Sequence, residues 1–229
     1  MRYAVLTDIH ANIFALKAVM DEVDKLKPDK IICLGDIVGN GTYPEETVQY
    51  IRKRGDILCV KGNHDLFANL DLKVFPVSDT RIKMFEWTQK ALSKSSKKFL
   101  SELPNLLIFN DCGKKIVCFH YPKSKKRNRF KDLIYLPSDD QVRELFEGLD
   151  GDILLFGHEH TGSLTELDGK FFLNFGTLGN MLFENEARFG VVDVTPEKVA
   201  YKSIIVNYDD SMPRKRAEEI NAILNGERK

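Results

Sequence analysis

Arg2-Tyr3-Ala4-Val5-Leu6-Thr7-Asp8-Ile9-His10 is a short apolar run that ends in polar side chains able to bind a cation. The pattern returns at Lys30-Ile31-Ile32-Cys33-Leu34-Gly35-Asp36, and again at Ile57-Leu58-Cys59-Val60-Lys61-Gly62-Asn63-His64-Asp65. Between the first two runs, residues 12–26 have helical spacing. Phe14 or Ala15, Ala18 or Val19, Glu22 or Val23, and Leu26 form one stripe, and Pro28 breaks it. Between the second and third, Pro44 opens a helix through about residue 53 and Gly55 ends it. Strand (2–6), helix, strand (30–34), helix, strand (56–60) predicts a parallel sheet with right-handed crossovers.

Beyond this unit the pattern changes. Residues 66–104 contain a helical pattern over 80–92 and a lysine- and serine-rich helix to about 103, read as a cap or insertion beside the sheet. Runs 106–109 and 115–119 flank Asn110-Asp111-Cys112-Gly113, a hairpin signal; runs 164–167 and 170–174 flank Asp168-Gly169, a stronger one. Residues 121–137 are basic and irregular. Ser138 starts a helix to about 146, residues 152–156 form a strand, 189–194 and 199–206 pair around Thr195-Pro196, and a helix near 211–224 closes the chain. The second half reads as mostly antiparallel hairpins. The fold class expected is α/β, with two sheets and helices outside, in a single domain over residues 1–229.

Composition narrows the classes. The chain has 229 residues, 43% apolar and 30% charged, with 34 Lys+Arg against 34 Asp+Glu. A chain this long buries about 70–75% of its unfolded surface and needs no disulfide or structural metal to fold. Zero formal charge excludes a generally basic nucleic-acid coat and a generally acidic tail. No apolar run approaches the roughly 18 residues of a membrane span. The run after Met1 is too short for a signal-peptide core, so no membrane partner is expected. Cys33, Cys59, Cys112 and Cys118 form no C-x-x-C pair, which argues for a reducing cytoplasm and against a zinc-thiolate site.

The five histidines carry the functional reading. His10, His64, His120, His158 and His160 follow short apolar runs, and Asp36 follows another. In an open α/β sheet, ligands bind outside the carboxyl ends of the strands, so these segments deliver polar groups to one edge. In an extended chain, residues two apart point to the same side. Asp8 with His10, and His158 with His160, would then grip one ion or reach two adjacent ones. Gly35, Gly62 and Gly157 are read as allowing sharp exits from the strands. Seven donors (Asp8, His10, Asp36, Asn63, His120, His158, His160) are too many for one tetrahedral ion and about right for two. Their mixed oxygen and nitrogen chemistry suits Mn, Fe, Co, Ni or Zn rather than Ca.

The order D-x-H, G-D, G-N-H-D, H, G-H-x-H resembles the signature of calcineurin-like metallophosphoesterases, from residue 6 to about 180. The short length and Ile9-His10-Ala11-Asn12 look most like the small prokaryotic phosphodiesterase branch. The resemblance implies two stacked mixed β-sheets flanked by helices, an αββα sandwich. It implies that Asp8, His10 and His160 bind a first metal, that Asn63, His120 and His158 bind a second, and that Asp36 bridges both. His64 matches the family's non-ligand histidine, which contacts the phosphate and protonates the leaving group, and Asp65 would orient it. Two divalent ions, manganese first and Ni, Fe, Co or Zn as alternatives, would clamp a phosphoryl group and supply hydroxide at neutral pH for in-line attack. Ala11 and Tyr121 stand where the family has glycine, and Phe175 stands where it has proline. Tyr121 is expected to reshape the pocket beside the second metal.

The expected substrate is a phosphodiester or a nucleotide-type phosphoanhydride, such as a diadenosine polyphosphate, a cyclic nucleotide or an aryl phosphodiester. Nucleic acid is not favoured, since a nuclease would want a longer basic surface. A non-catalytic protein-binding scaffold of the same fold is the rival reading, and the family often forms homodimers. Lys123, Lys125, Lys126, Arg127, Arg129 and Lys131 form one basic cluster, read as a solvated loop or as a phosphate-attracting rim with Lys125, Lys126 and Arg127 on substrate. Asn63 has a competing reading as a turn residue and Asp65 as a helix cap. Arg188 is read as reaching a phosphate or, in the favoured reading, pairing with Glu184 or Glu186, and Phe85 and Trp87 as packing a core or stacking a base.

Overall fold

The computed structural model describes residues 1–71, 78–124, 130–179 and 185–226. Its elements run β1 (Arg2–Leu6), α1 (Ile13–Leu26), β2 (Lys30–Cys33), α2 (Pro44–Arg54), β3 (Ile57–Cys59), α3 (Asn63–Phe67), α4 (Asp79–Ala91), α5 (Lys94–Glu102), β4 (Leu106–Asp111), β5 (Lys114–Phe119), α6 (Asp139–Leu145), β6 (Ile153–Leu155), β7 (Ser163–Leu167), β8 (Lys170–Asn174), β9 (Glu186–Val194), β10 (Val199–Asn207) and α7 (Ser211–Leu224). They form two mixed five-stranded sheets, ordered β10-β9-β1-β2-β3 and β4-β5-β6-β8-β7. In the first, β1, β2 and β3 are parallel and the β9–β10 hairpin adds antiparallel to β1.

The alternation of side chains along each strand builds four layers. Ala4, Leu6, Ile31 and Cys33 face the helices and pack with Leu16, Val19, Met20 and Val23 of α1. Their neighbours Tyr3, Val5, Ile32 and Leu34 face the second sheet, where they meet Ile116, Cys118, Ile153 and Leu155. The far face of that sheet, with Val117, Phe119, Leu154 and Phe172, is covered by Val142, Leu145 and Phe146 at α6. The arrangement is an αββα sandwich. No helix among the described residues is long and apolar enough to cross a membrane.

The second sheet is less antiparallel than its hairpin signals suggest. Those signals are genuine, but β5, β6 and β8 run parallel between the antiparallel edge strands β4 and β7. This matters for the site, because it points the ends of β5 and β6 the same way. The first hairpin is also tighter than its sequence suggests. The ladder runs through Asp111↔Lys114, leaving Cys112-Gly113 as a two-residue loop with φ of 54° and 72°. Both positive angles match the right-handed twist of the strands.

Helix ends follow local chemistry. Pro44 opens α2, Glu45 and Glu46 sit in its first turn, and Arg52, Lys53 and Arg54 sit in its last, all complementing the helix dipole. Asn12 caps α1 by accepting from the Ala15 amide at 3.1 Å. Its side-chain amide donates to the Gly179 carbonyl at 3.2 Å and to the Tyr208 hydroxyl at 2.9 Å. Asn12→Ala removes a cap and two buried bonds. It is expected to cost about 2–3 kcal/mol, read as a lower urea midpoint. An unchanged midpoint would show that Asn12 does not tie these segments together.

Candidate metal centre

The predicted donors meet where β1, β2, β3, β5 and β6 end. The loop after β1 is not extended: Asp8, His10 and Ala11 have φ of 53°, 48° and 54°. These left-handed turns, rather than the two-residue strand period, aim both side chains inward. Ala11 thus holds an angle that glycine takes without strain. The loop is fastened along its length. Asp8, His10 and Ala11 amides donate to the carbonyls of Gly35, Asp36 and Ile37, and the Thr177 hydroxyl donates to the Asp8 carbonyl at 2.8 Å.

Gly35 has φ of 96°, the turn its position requires. Gly62 and Gly157 are glycines for a different reason, which is space. A Cβ on Gly157 would lie 1.9 Å from Thr7 Oγ1, and one on Gly62 would lie 2.1 Å from Asp36 Oδ1.

Among the described residues, three groups of donors converge to within 4.8 Å: Asp8, His10 and His160; Asp36, His120 and His158; and His10, Asp36 and His64. Asn63 joins the second group, its Oδ1 lying 3.0 Å from His120 Nε2. His158 and His160, two residues apart, therefore serve different groups. The first sheet supplies Asp8, His10, Asp36 and Asn63, and the second supplies the other three histidines.

The donors fit a cation. His10 Nδ1 faces the Gly39 carbonyl at 3.2 Å and His120 Nδ1 faces the Leu34 carbonyl at 2.8 Å. A carbonyl only accepts, so in the neutral rings Nδ1 carries the proton and Nε2 presents a lone pair. His10 Nε2 lies 3.0 Å from His160 Nε2, and His120 Nε2 lies 3.0 Å from Asn63 Oδ1. Asp8 Oδ2 accepts from the Thr7 hydroxyl and the His158 amide, while its buried Oδ1 accepts no hydrogen bond.

The electrostatics follow from crowding. Burial alone would push Asp8 and Asp36 up, but the surrounding imidazoles hold both below the usual carboxylate range. Burial would lower His120, yet Asp36 and Asp8 raise it to about 9. Burial, then His120, lowers His158 to about 4.

His64 sits in α3 beside these groups. It is buried, and burial depresses it to about 3, so the ring is neutral. Its backbone amide donates to Asp36 Oδ1 at 2.8 Å, and its Nε2 lies 3.9 Å from Asp36 Oδ2. The expectation that Asp65 orients His64 is corrected. Asp65 Oδ1 accepts from the Ile37 and Val38 amides at 2.9 and 3.2 Å, and Oδ2 accepts from the Gly62 amide at 2.9 Å. Its carboxylate staples the two loops that flank Asp36, which is the capping chemistry the sequence also allowed. His64 Nε2 instead meets Asn40, whose amide nitrogen is 3.5 Å away.

A cleft of about 390 Å³ opens over the donors, lined in part by Asn40, Arg81, Phe85, Leu133 and Tyr135, all unassigned by motif. Of these, the sequence singles out only Phe85, for core packing or base stacking, and it packs on His64 with centroids 5.3 Å apart. Trp87 faces a different groove, between α4 and α7. No local pattern announces these residues, because they come from segments whose docking is tertiary.

Of the basic cluster, Lys125, Lys126, Arg127 and Arg129 lie outside the described residues. Lys131 Nζ donates to the Glu144 and Leu145 carbonyls at the end of α6, and Lys123 Nζ donates to Asn105. Those two cations are engaged in structure. Arg188 pairs with Glu186 at 3.3 Å; Glu184 lies outside the described residues.

Comparison with known proteins agrees with this fold. An uncharacterized protein of Methanocaldococcus jannaschii is 33% identical over 177 residues, covering 76% of this chain and 69% of that protein. A hypothetical protein from Pyrococcus horikoshii superposes with a TM-score of 0.82 at 21% identity, covering 97% of each chain. A metallophosphoesterase from Sphaerobacter thermophilus gives 0.70 at 23% identity, covering 96% of this chain and 94% of that one. Residues 1–197 match the calcineurin-like phosphoesterase superfamily domain, and the chain belongs to that superfamily.

Proposed function

We propose that this chain is a metal-dependent phosphoesterase that hydrolyses phosphodiester or nucleotide-type phosphoanhydride bonds in small molecules. Two divalent cations would sit at the first two of the three groups, manganese being the first candidate. Asp8, His10 and His160 would hold one, Asn63, His120 and His158 the other, and Asp36 both. The observation that carries the reading is the convergence of histidine ring nitrogens and carboxylate oxygens within 4.8 Å in largely buried groups, with Asp8 Oδ1 accepting no hydrogen bond. When bound, such a pair supplies positive charge against the phosphoryl oxygens and lowers the pKa of water toward neutrality.

The chain's own residues do the positioning. Carbonyls of Gly39 and Leu34 lock two imidazoles in one tautomer, and Asp65 fixes the loops around Asp36. His64, neutral and buried, lies 5.0 Å from the His10 ring and 3.9 Å from Asp36 Oδ2, and would contact the phosphoryl group or the leaving oxygen. The cleft volume suits a small molecule rather than a folded polypeptide.

The test is hydrolysis of bis(p-nitrophenyl) phosphate after chelation and reloading with Mn²⁺, Ni²⁺ or Zn²⁺. Turnover is expected only in reloaded protein, and His64→Ala is expected to lower kcat by about 10²–10³-fold. No turnover with any of the three metals would overturn the proposal.

A further inference from the structure

Two walls of the cleft come from segments outside the metal-binding motifs, and each brings one unspent recognition group. On one side stands α4. Phe85 of this helix packs against His64 at 5.3 Å and against Phe67 of α3 at 4.6 Å. Arg81 lies four residues earlier, on the same face of the helix. Docking Phe85 on His64 therefore places Arg81 over the cleft, where it is exposed and makes no ion pair with a described residue. It is the one cationic side chain among the described residues lining the cleft, the histidines apart.

On the other side stands the segment carrying Leu133 and Tyr135. Tyr121 occupies the position after His120. Its ring lies 4.9 Å from that of His158, and its hydroxyl accepts from the Ile134 amide at 3.4 Å. Lys131, two residues before Leu133, is tied to the end of α6. The segment is thus held from both directions. Tyr135 nevertheless leaves 64% of its surface exposed while lining the cleft. An aromatic ring so exposed on a braced segment is a ready stacking surface.

We propose that this cleft selects nucleoside polyphosphates, with Arg81 pairing to the phosphate beyond the scissile one and Tyr135 stacking on the base. The idea rests on the phosphoesterase reading and deepens it. A monoanionic phosphodiester leaves Arg81 without a partner, whereas a phosphoanhydride brings a second charged phosphate that a planar guanidinium can grip bidentately. In the reaction, the oxygen of water bonds to one phosphorus and the bridging P–O bond breaks. The bridging oxygen departs with the phosphate on Arg81, and water's proton passes to the products.

The test uses the Mn²⁺-loaded protein and two non-hydrolysable probes, α,β-methylene-ADP and methylenediphosphonate, measured by titration calorimetry. Arg81→Ala is expected to weaken α,β-methylene-ADP by about tenfold. Arg81→Lys should recover part of that loss. Tyr135→Ala is expected to weaken α,β-methylene-ADP by about fivefold or more relative to its effect on methylenediphosphonate, which has no base. In kinetics, Arg81→Ala should lower the ratio of ADP to bis(p-nitrophenyl) phosphate turnover by a similar factor. The assignment is overturned if neither variant changes the affinity for α,β-methylene-ADP, or if Tyr135→Ala weakens both probes equally. Parent protein that hydrolyses the diester while the variants leave analogue binding intact would sink this inference alone. Parent protein that binds the analogue, with affinity dependent on Arg81, yet turns over nothing would sink the phosphoesterase reading alone.

Discussion

Asp36→Asn is expected to lower kcat/KM by about 10²–10³-fold and to reduce the bound manganese per chain, with the far-ultraviolet circular dichroism unchanged. The two oxygens of Asp36 do different work. Oδ1 accepts from the His64 amide at 2.8 Å, and an asparagine carbonyl can keep that bond. Oδ2 lies 3.4 Å from His120 Nε2 and 3.9 Å from His64 Nε2, facing the space between the donor groups. Putting an NH₂ there turns an anionic acceptor into a donor pointed at the proposed cations. The fold survives because the bond that anchors α3 survives; the charge does not. Elemental analysis and steady-state kinetics on the same preparation check the expectation. Wild-type metal content with wild-type rates would remove Asp36 from the proposed role.

Gly62→Ala is expected to lower stability by about 3 kcal/mol or more, which for a chain of this length is a fall in Tm on the order of 10 °C. The added Cβ would lie 2.1 Å from Asp36 Oδ1 and 2.3 Å from the Asp36 backbone nitrogen. The second atom is backbone, and the first is a carboxylate oxygen pinned by the His64 amide at 2.8 Å, so neither swings aside freely. Relief requires the loop after β2 and the turn before α3 to separate. That separation breaks both the Gly62 amide bond to Asp65 and the His64 amide bond to Asp36. Gly113→Ala is the control. Its φ of 72° strains an alanine, but nothing lies within 4 Å of the added atom, so the cost should be about 1 kcal/mol. Equal melting temperatures for the two variants would refute the crowding argument.

The sequence shows much of this molecule because two short-range signals are strong in it. Alternation along β1 and β2 separates Ala4, Leu6, Ile31 and Cys33 from Tyr3, Val5, Ile32 and Leu34, and these two sets face different layers. Polar residues closing each apolar run identify the edge where the donors gather. What stays hidden depends on tertiary choice. The inward aim of Asp8 and His10 comes from left-handed backbone angles that no residue type announces, since the run contains no glycine. The parallel setting of β5, β6 and β8 depends on which strand inserts beside which. Asp65 looks like a partner for the adjacent His64, yet the Ile37 and Val38 amides take one of its oxygens and the Gly62 amide takes the other. Arg81 and Tyr135 reach the cleft only because Phe85 and Tyr121 dock their segments there.

The donors are divided between the two halves of the sandwich, and the split has a bearing on assembly. A chain that has closed only its N-terminal sheet owns Asp8, His10, Asp36 and Asn63 but lacks three imidazoles that the other sheet brings. β1 finds its partner β9 only near the far end of the chain, with Arg2 opposite Asp193. Contacts so remote in sequence form late and slowly. Neither half alone carries all seven donors, so a nascent or partly folded chain has no complete pair of sites to offer. Any ion later held there acts as a rivet between the sheets.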